Sequence, residues 1–387
     1  MPRAQASGAR TVGWLELFYD LVSVAVIVTF SDAISLHTDG DVIVIVTTAA
    51  GAVWWIWLTT TLFANRFRVD DGIQRTLILG QMLLFTMISL LVGDGVGQHE
   101  GFASIAYAGL CFSVAVMHGR ETHRPGALGA LAQARRNEFA VATVLFLAAE
   151  FVEGPARYVI WIVAFAVIVL PAVAYRFGRV RGEAPLHEEH LVERMALLTI
   201  IACGESFVKV SLLASDGSLE QLDIIVLCTL FVLVFSIWWS YFDDIPDAGL
   251  PSSLPRMRGW IVGHLFLQIF IVGVAVGYAK LLRLDLGHNV DFDKMLITVG
   301  TLFGLYVSLA LVGACTRRVP VGPLLAFRLG SAAVLVPIAI LIWKVDWVDV
   351  DVTAILLAVF ALAHGAISSV LRRSTHVRPA SEATHTL

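Results

Sequence analysis

The chain is a succession of apolar runs, each close to twenty residues or longer, and the short segments between them hold nearly all of its charge. A helix needs about 20 residues at 1.5 Å each to cross roughly 30 Å of hydrocarbon, and runs of that length, closely spaced, leave no room for the polar linkers of a multidomain soluble protein. Composition agrees: 58% of the 387 residues are hydrophobic and 15% charged, against about a quarter charged in soluble domains. Most of the surface is therefore built to meet lipid. The runs predict twelve membrane helices, near 14–36, 41–64, 75–93, 101–118, 137–152, 156–176, 190–214, 222–242, 258–283, 294–315, 322–344 and 349–371. The fifth is the shortest, and an error there would invert every later segment.

Positive charge in alternate loops tests that count. Arg3, Arg10, Arg66, Arg68, Arg75, Arg120, Arg124, Arg135, Arg136, Arg176, Arg179, Arg181, Arg256, Arg258, Arg317, Arg318, Arg372, Arg373 and Arg378 fall on one side. The other side holds only Arg157, Lys280, Arg283, Lys294 and Lys344, among acidic loops with Asp39, Asp94, Asp216, Asp285 and Asp346. Both termini are accordingly expected in the cytoplasm.

Several classes are excluded or disfavoured. No basic arm for nucleic acid is present. Cys111, Cys203, Cys228 and Cys315 are far apart, with neither a CxxC spacing nor a secreted-type framework, which argues against structural disulfides and thiolate zinc. The first run is about twice the length of a signal-peptide core and contains Glu16 and Asp20, so it is expected to stay as a helix. The longest loops are expected at Gly119–Arg136, Phe177–Glu189 and Asp243–Arg256; none is a folded domain and none carries a GxxxxGK[ST] phosphate loop. No cofactor is implied.

Two helices open alike. Arg75-Thr-Leu-Ile-Leu-Gly80-Gln81 in the third parallels Arg258-Gly-Trp-Ile-Val-Gly263-His264 in the ninth, and at nearly the same offset Trp54-Trp55 parallels Trp238-Trp239. Asp20 falls opposite Glu205 if two residues are inserted. The expectation is two six-helix halves, 1–183 and 184–387, running the same way through the membrane about an axis along its normal. Chance matches in a biased composition are the competing explanation.

The segments ELFYDLVSVAVIVTFSDAI (16–34), WWIWLTTTLFANRF (54–67), HLVERMALLTIIACGESF (190–207) and IWWSYFDD (237–244), with Gly263-His264, resemble the low temperature requirement protein A (LtrA) family of bacterial membrane proteins. The resemblance covers much of the first three and the seventh to ninth helices. It implies the fold and a place in the bacterial cytoplasmic membrane; the family's name refers to growth in the cold and brings no biochemical activity with it. Ser23 departs from the pattern, where an aromatic or apolar residue is expected.

Ionisable residues inside the membrane cost about 2.5–3.5 kcal/mol each on insertion scales and need a partner or water. Glu16, Asp20, Ser23, Ile27 and Ser31 follow a three-to-four spacing that puts them on one helix face, turned into the bundle. Gln81, Arg194, His264, Arg328 and His364 fall at depths of about 6–11 Å from the cytoplasmic ends, close to that of Asp20. They predict a polar layer that forms a substrate site, or an inner gate closed by Asp20 with Arg194 or Arg328. The plainer alternative is arginines that snorkel to headgroups and histidines that serve as interhelical donors. Glu205 and Lys209, one turn apart in the outer half of the seventh helix, stand in the favourable order for an intrahelical pair; the functional alternative is that Glu205 binds a proton or cation. Trp54, Trp55 and Trp57, with Trp238, Trp239 and Tyr241, suit either an interfacial belt or the lining of a ligand site or gate. His190 and Glu193 share a spacing that tempts a metal reading, but acidic residues are ordinary partners of a helix N-terminus and no metal site is predicted.

These features predict a secondary transporter for an unidentified small solute or ion, coupled to protons or a cation through Asp20 and Glu205, with the lipid bilayer as its surroundings. A channel shares the features. A sensor, assembly factor or scaffold, whose polar layer only holds helices together, is the alternative from another class. An enzyme is disfavoured, since no Ser-His-Asp set, HExxH or haem-like histidine pair is visible.

Overall fold

The computed structural model describes residues 12–36, 40–93, 100–171, 186–215, 221–251, 253–284, 287–316, 322–345 and 348–376. The described residues are helical almost throughout: α1 Trp14–Leu36, α2 Gly40–Phe67, α3 Gly72–Gly93, α4 Glu100–Arg120, α5 Gly126–Glu150, α6 Pro155–Pro171, α7 Glu188–Ser215, α8 Gln221–Phe242, α9 Leu254–Leu281, α10 Phe292–Cys315, α11 Pro323–Lys344 and α12 Val350–His376. Seven of them, α3, α4 and α8 to α12, contain segments long and apolar enough to cross a membrane. The helix α6 is as apolar but has 17 residues.

Two expectations about loops are corrected. The fifth helix begins at Gly126, eleven residues before the expected 137, so much of Gly119–Arg136 is helical. Charge hid this start: Arg135 and Glu138 interrupt the apolar run, but they pair at 3.0 Å one turn apart and both are buried. The expected loop Asp243–Arg256 is shortened in the same way, by a 3-10 turn at Pro246–Ala248 and by α9, which opens at Leu254. Most of Phe177–Glu189, including the presumed junction of the two halves, lies outside the described residues, as does the end of the sixth run beyond Pro171.

The chain forms two compact units, Met1–Ile201 and Ala202–Leu387. In the first, α1 packs on α2 and α3, α3 on α4, and α5 on α4 and α6. Tyr107 stacks on Phe146 at 5.6 Å and Phe165 meets both edge-on, which locks α4, α5 and α6. Asp71 caps α3 by accepting from the Gln74 N–H at 2.8 Å and also binds Arg120 of α4. The Arg120 guanidinium beside Asp71, and Arg75 beside Asp70, hold both carboxyls below the usual aspartate value.

In the second unit α9 lies against α10, α10 against α11, and α12 against α8. Two G-x-x-x-G steps on α9, Gly259/Gly263 and Gly273/Gly277, set the α9–α10 approach. A Cβ at these four positions would stand 2.6–2.7 Å from Cys315, Val312, Thr301 and Thr298 of α10 respectively. Small residues let helix backbones close up where lipid gives no hydrophobic drive for association. An isolated antiparallel bridge, Asn289 to Asp349, ties the α9–α10 connection to the start of α12, where Asp349 accepts the Val352 N–H at 3.2 Å.

Candidate functional site

The inward face predicted for α1 is the one the fold buries. Asp20, Ser23 and Ile27 are all enclosed, and Asp20 is 0% exposed; the side chain of Ser31 lies outside the described residues. A buried carboxylate must be paired or solvated by donors, and two donors converge on one oxygen of Asp20. Trp57 Nε1 of α2 donates to Oδ1 at 2.6 Å, and Arg194 Nη2 of α7 donates to the same atom at 2.6 Å. Arg194, 1% exposed, also donates to Thr61 Oγ1 at 3.1 Å and lies with its Cζ 5.8 Å from the Trp57 ring centroid. The structure thus chooses Arg194 as the partner of Asp20, and neither Arg194 nor Arg328 snorkels: both are buried on a carboxylate.

This pairing is single-pronged. A bidentate fork would use Arg Nε and both carboxylate oxygens, whereas here Asp20 Oδ2 and Arg194 Nε are buried without a hydrogen-bond partner among the described residues. One acceptor and one donor are therefore left inside the site.

From Arg194 the polar chain continues toward the start of α7. Glu16 lies 3.8 Å from Arg194 Nη1, and His190 Nε2 is 3.1 Å from Glu16 Oε2. Asn65 of α2 fixes the tautomer of His190. Its Oδ1 accepts the His187 N–H at 2.9 Å, so its Nδ2 is the donor that reaches the His187 carbonyl at 3.0 Å and His190 Nδ1 at 3.1 Å. His190 Nδ1 must accept, which leaves the proton on Nε2, facing Glu16. Arg68 closes the ladder on His187 at 2.6 Å.

Gln81 sits beside this ladder but is saturated. Its Oε1 accepts from Tyr19 at 2.7 Å and from Thr60 at 3.1 Å, while Nε2 donates to Ser113 Oγ at 2.8 Å and approaches Met117 Sδ at 3.6 Å. It ties α1, α2, α3 and α4 together.

The second unit carries the rest of the predicted layer on partners of its own. Arg328, 2% exposed, donates through Nη2 to Asp244 Oδ2 at 2.9 Å and to the Ser240 carbonyl at 3.2 Å, and again Arg328 Nε and Asp244 Oδ1 are buried without partners among the described residues. His264 donates through Nδ1 to the Trp260 carbonyl at 2.8 Å and accepts from Tyr241 at 2.9 Å. His364 is held between Ser331 at 2.9 Å and Ser368 at 3.3 Å and stacks on Phe327. Both histidines have their two nitrogens occupied.

Glu205 is half-buried on α7; the side chain of Lys209 lies outside the described residues. His190 and Glu193 part company, since His190 is enclosed and Glu193 is exposed. Among the tryptophans, Trp54, Trp55 and Trp57 are buried, while Trp238 is 37% exposed and stacks on Phe235 and Phe242. Trp57, grouped with Trp54 and Trp55 as an aromatic of a belt or gate, is the one that reaches Asp20; Thr61, Asn65, Tyr19 and Asp244 carry contacts of the two clusters without having stood out as site residues. Asp244 ends a run read as the start of a loop, and the others are residue types that apolar helices carry in any orientation.

Sequence comparison agrees with the resemblance. An uncharacterized protein of Rhizobium meliloti (strain 1021) is 27% identical over 290 residues, covering 68% of this chain and 67% of that protein. The family model described as bacterial low temperature requirement A protein matches residues 11–365, a span that includes every helix from α1 to α11 and both buried Arg–Asp pairs. With its apolar helices this makes the chain a membrane protein, and it belongs to the LtrA family.

Proposed function

We propose that the chain is a secondary transporter for a small solute or ion, coupled to protons or a cation, with Asp20 as the coupling carboxylate of the first unit. In this reading it crosses the bacterial cytoplasmic membrane twelve times with both termini inside, as two parallel six-helix repeats, 1–183 and 184–387. The observation that carries the proposal is the single-pronged Asp20–Arg194 pair, in which a buried acceptor and donor stay open while the polar groups around them are satisfied. A proton on Oδ2 would weaken the hold on Arg194 and free a cation within the membrane for a substrate anion. Protonation and substrate binding would then be linked through one guanidinium. A second buried Arg–Asp pair, Arg328 with Asp244, leaves its Arg Nε and one carboxylate oxygen open in the same way, which supports a shared role for the two pairs. So does the parallel between Gln81 and His264, each clamped by a tyrosine hydroxyl.

The test is flux in proteoliposomes under imposed pH and Na⁺ gradients. Asp20→Asn alone strands Arg194, so the decisive variant is the charge-neutral pair Asp20→Asn/Arg194→Gln, recovered as a folded species by size exclusion. Gradient-driven flux in the wild type and its loss in that variant is the expected result; flux that persists there removes Asp20 from the coupling step. A channel would pass ions without countertransport. A sensor or scaffold, for which the well-satisfied Glu16–His190–Asn65–His187 ladder is the supporting observation, would show no flux in any form and a loss of stability on mutation.

A further inference from the structure

In the first unit a cleft opens between α2, α4 and α5, apart from the Asp20–Arg194 pair. Its space, counted out to the mouth, is about 470 Å³, and its wall includes Trp55, Phe63, Arg66, His118, Leu131 and Arg135. Two cations thus share a small apolar cleft, close enough for Arg135 to repel Arg66.

Not every donor of the wall is met. Arg135 is committed to Glu138 Oε2 at 3.0 Å and to the Ile168 carbonyl at 3.1 Å. His118 Nδ1 donates to the Val114 carbonyl at 3.0 Å, and Thr59 donates to the Trp55 carbonyl at 2.9 Å. Two buried donors remain open, Arg66 Nε and Trp55 Nε1, which have no hydrogen-bond partner among the described residues, while the bare Nε2 of His118 is an acceptor on the same wall. One carboxylate, Glu138, stands against two guanidinium groups. Unmade donors and an uncompensated charge in a closed site are costly, and both costs vanish if an anionic oxygen enters. Such an oxygen would meet these donors with the rest of its group toward the mouth, beside Trp55 and Phe63.

We propose that this cleft is an oxyanion site that takes a phosphate, Arg66 supplying the charge and Trp55 a second donor. Two sources share that chemistry: the headgroup of an anionic phospholipid and free inorganic phosphate. The cleft lies at the arginine-rich ends of its helices, near Arg68, Arg120 and Arg124. On the orientation proposed above, this is the depth at which basic pockets meet anionic headgroups of the inner leaflet.

Thermal unfolding of the full chain in nanodiscs tests the site and separates the sources, and it needs no transport assay. Three preparations are compared: phosphatidylcholine alone, phosphatidylcholine with added phosphatidylglycerol, and phosphatidylcholine with millimolar inorganic phosphate. The wild type is expected to gain several degrees in midpoint with one of the additions, and that arm names the source. Arg66→Gln should lose the gain, Arg75→Gln, an exposed arginine outside the cleft, should keep it, and Trp55→Phe should reduce it. In plain phosphatidylcholine Arg66→Gln should unfold no lower than the wild type, because it removes a charge whose buried Nε has no hydrogen-bond partner among the described residues. A gain retained by Arg66→Gln, equal loss in Arg75→Gln, or no gain from either addition overturns the proposal. An Arg66→Gln chain that unfolds early in plain phosphatidylcholine overturns it as well, by making Arg66 a structural cation.

Discussion

Asp20 and Arg194 show how two ionisable side chains can be tolerated where lipid surrounds a bundle. Each alone would be an uncompensated buried charge, and removing one partner of such a pair costs about 3–5 kcal/mol. Asp20→Asn and Arg194→Gln should therefore each lower the thermal midpoint strongly in detergent, and the double variant should recover most of the loss. A double variant no more stable than the weaker single would mean that the two residues act independently, against the 2.6 Å contact. Both residues were conspicuous in sequence, because a charge inside an apolar run needs a reason. The roles of their helpers were not. Trp57 stood out only as an aromatic of a belt or gate and Thr61 not at all, because an indole or hydroxyl in a membrane helix reads the same whether it meets a carboxylate or lipid. Asp244 escaped for another reason: it stands at the end of α8, where a carboxylate is ordinarily solvated, and only the fold shows it 4% exposed against Arg328.

Helix positions were legible to within a few residues wherever apolar runs ended on charge, as in α1, α10 and α11. The start of α5 was not, because its first turns are amphipathic and the internal Arg135–Glu138 pair hides two charges. The close approach of α9 to α10 was present in sequence as two G-x-x-x-G steps. Spacing tells which face of a helix is small; it does not tell which helix comes to meet it. The structure supplies the partner, and with it a prediction. At Gly277 an added methyl would stand 2.7 Å from the Thr298 backbone Cα, which cannot swing aside as a side-chain end can. Gly277→Ala should destabilise the second unit by about 1–3 kcal/mol, the range for overpacking a closed interface. Gly300→Ala on α10, where an added methyl meets nothing within 4 Å, is the control and should be close to neutral. Thermal unfolding of the two variants side by side checks it; equal behaviour would show that the α9–α10 contact can relax.

At the scale of the whole chain, sidedness depends on parity, and parity depends on the five helices outside the long, apolar set, α1, α2, α5, α6 and α7. Seven helices satisfy length and hydropathy without help. The described part of α6 has 17 residues and spans about 25 Å, against a hydrocarbon layer of roughly 30 Å. If α6 did not cross, Arg176, Arg179 and Arg181 would stand on the same side as the acidic turn between α5 and α6, against the alternation of charge. Single cysteines introduced into a cysteine-free background decide the matter. Arg124→Cys and Asp247→Cys are expected to react with a membrane-impermeant maleimide only in inverted vesicles, and Glu153→Cys and Asp291→Cys only in intact spheroplasts. All four replace exposed residues, so a lack of reaction reports the membrane and not the fold. If Glu153→Cys reacts on the same side as Arg124→Cys, α5 does not cross. If instead the first-unit pair behaves as expected and the second-unit pair is inverted, an odd number of crossings separates the units. The parallel repeat would then give way to an inverted one, with Asp244–Arg328 facing the opposite compartment from Asp20–Arg194. Coupling at both pairs would in that case be the signature of a path through the whole membrane, and coupling at one pair that of a gate on a single side.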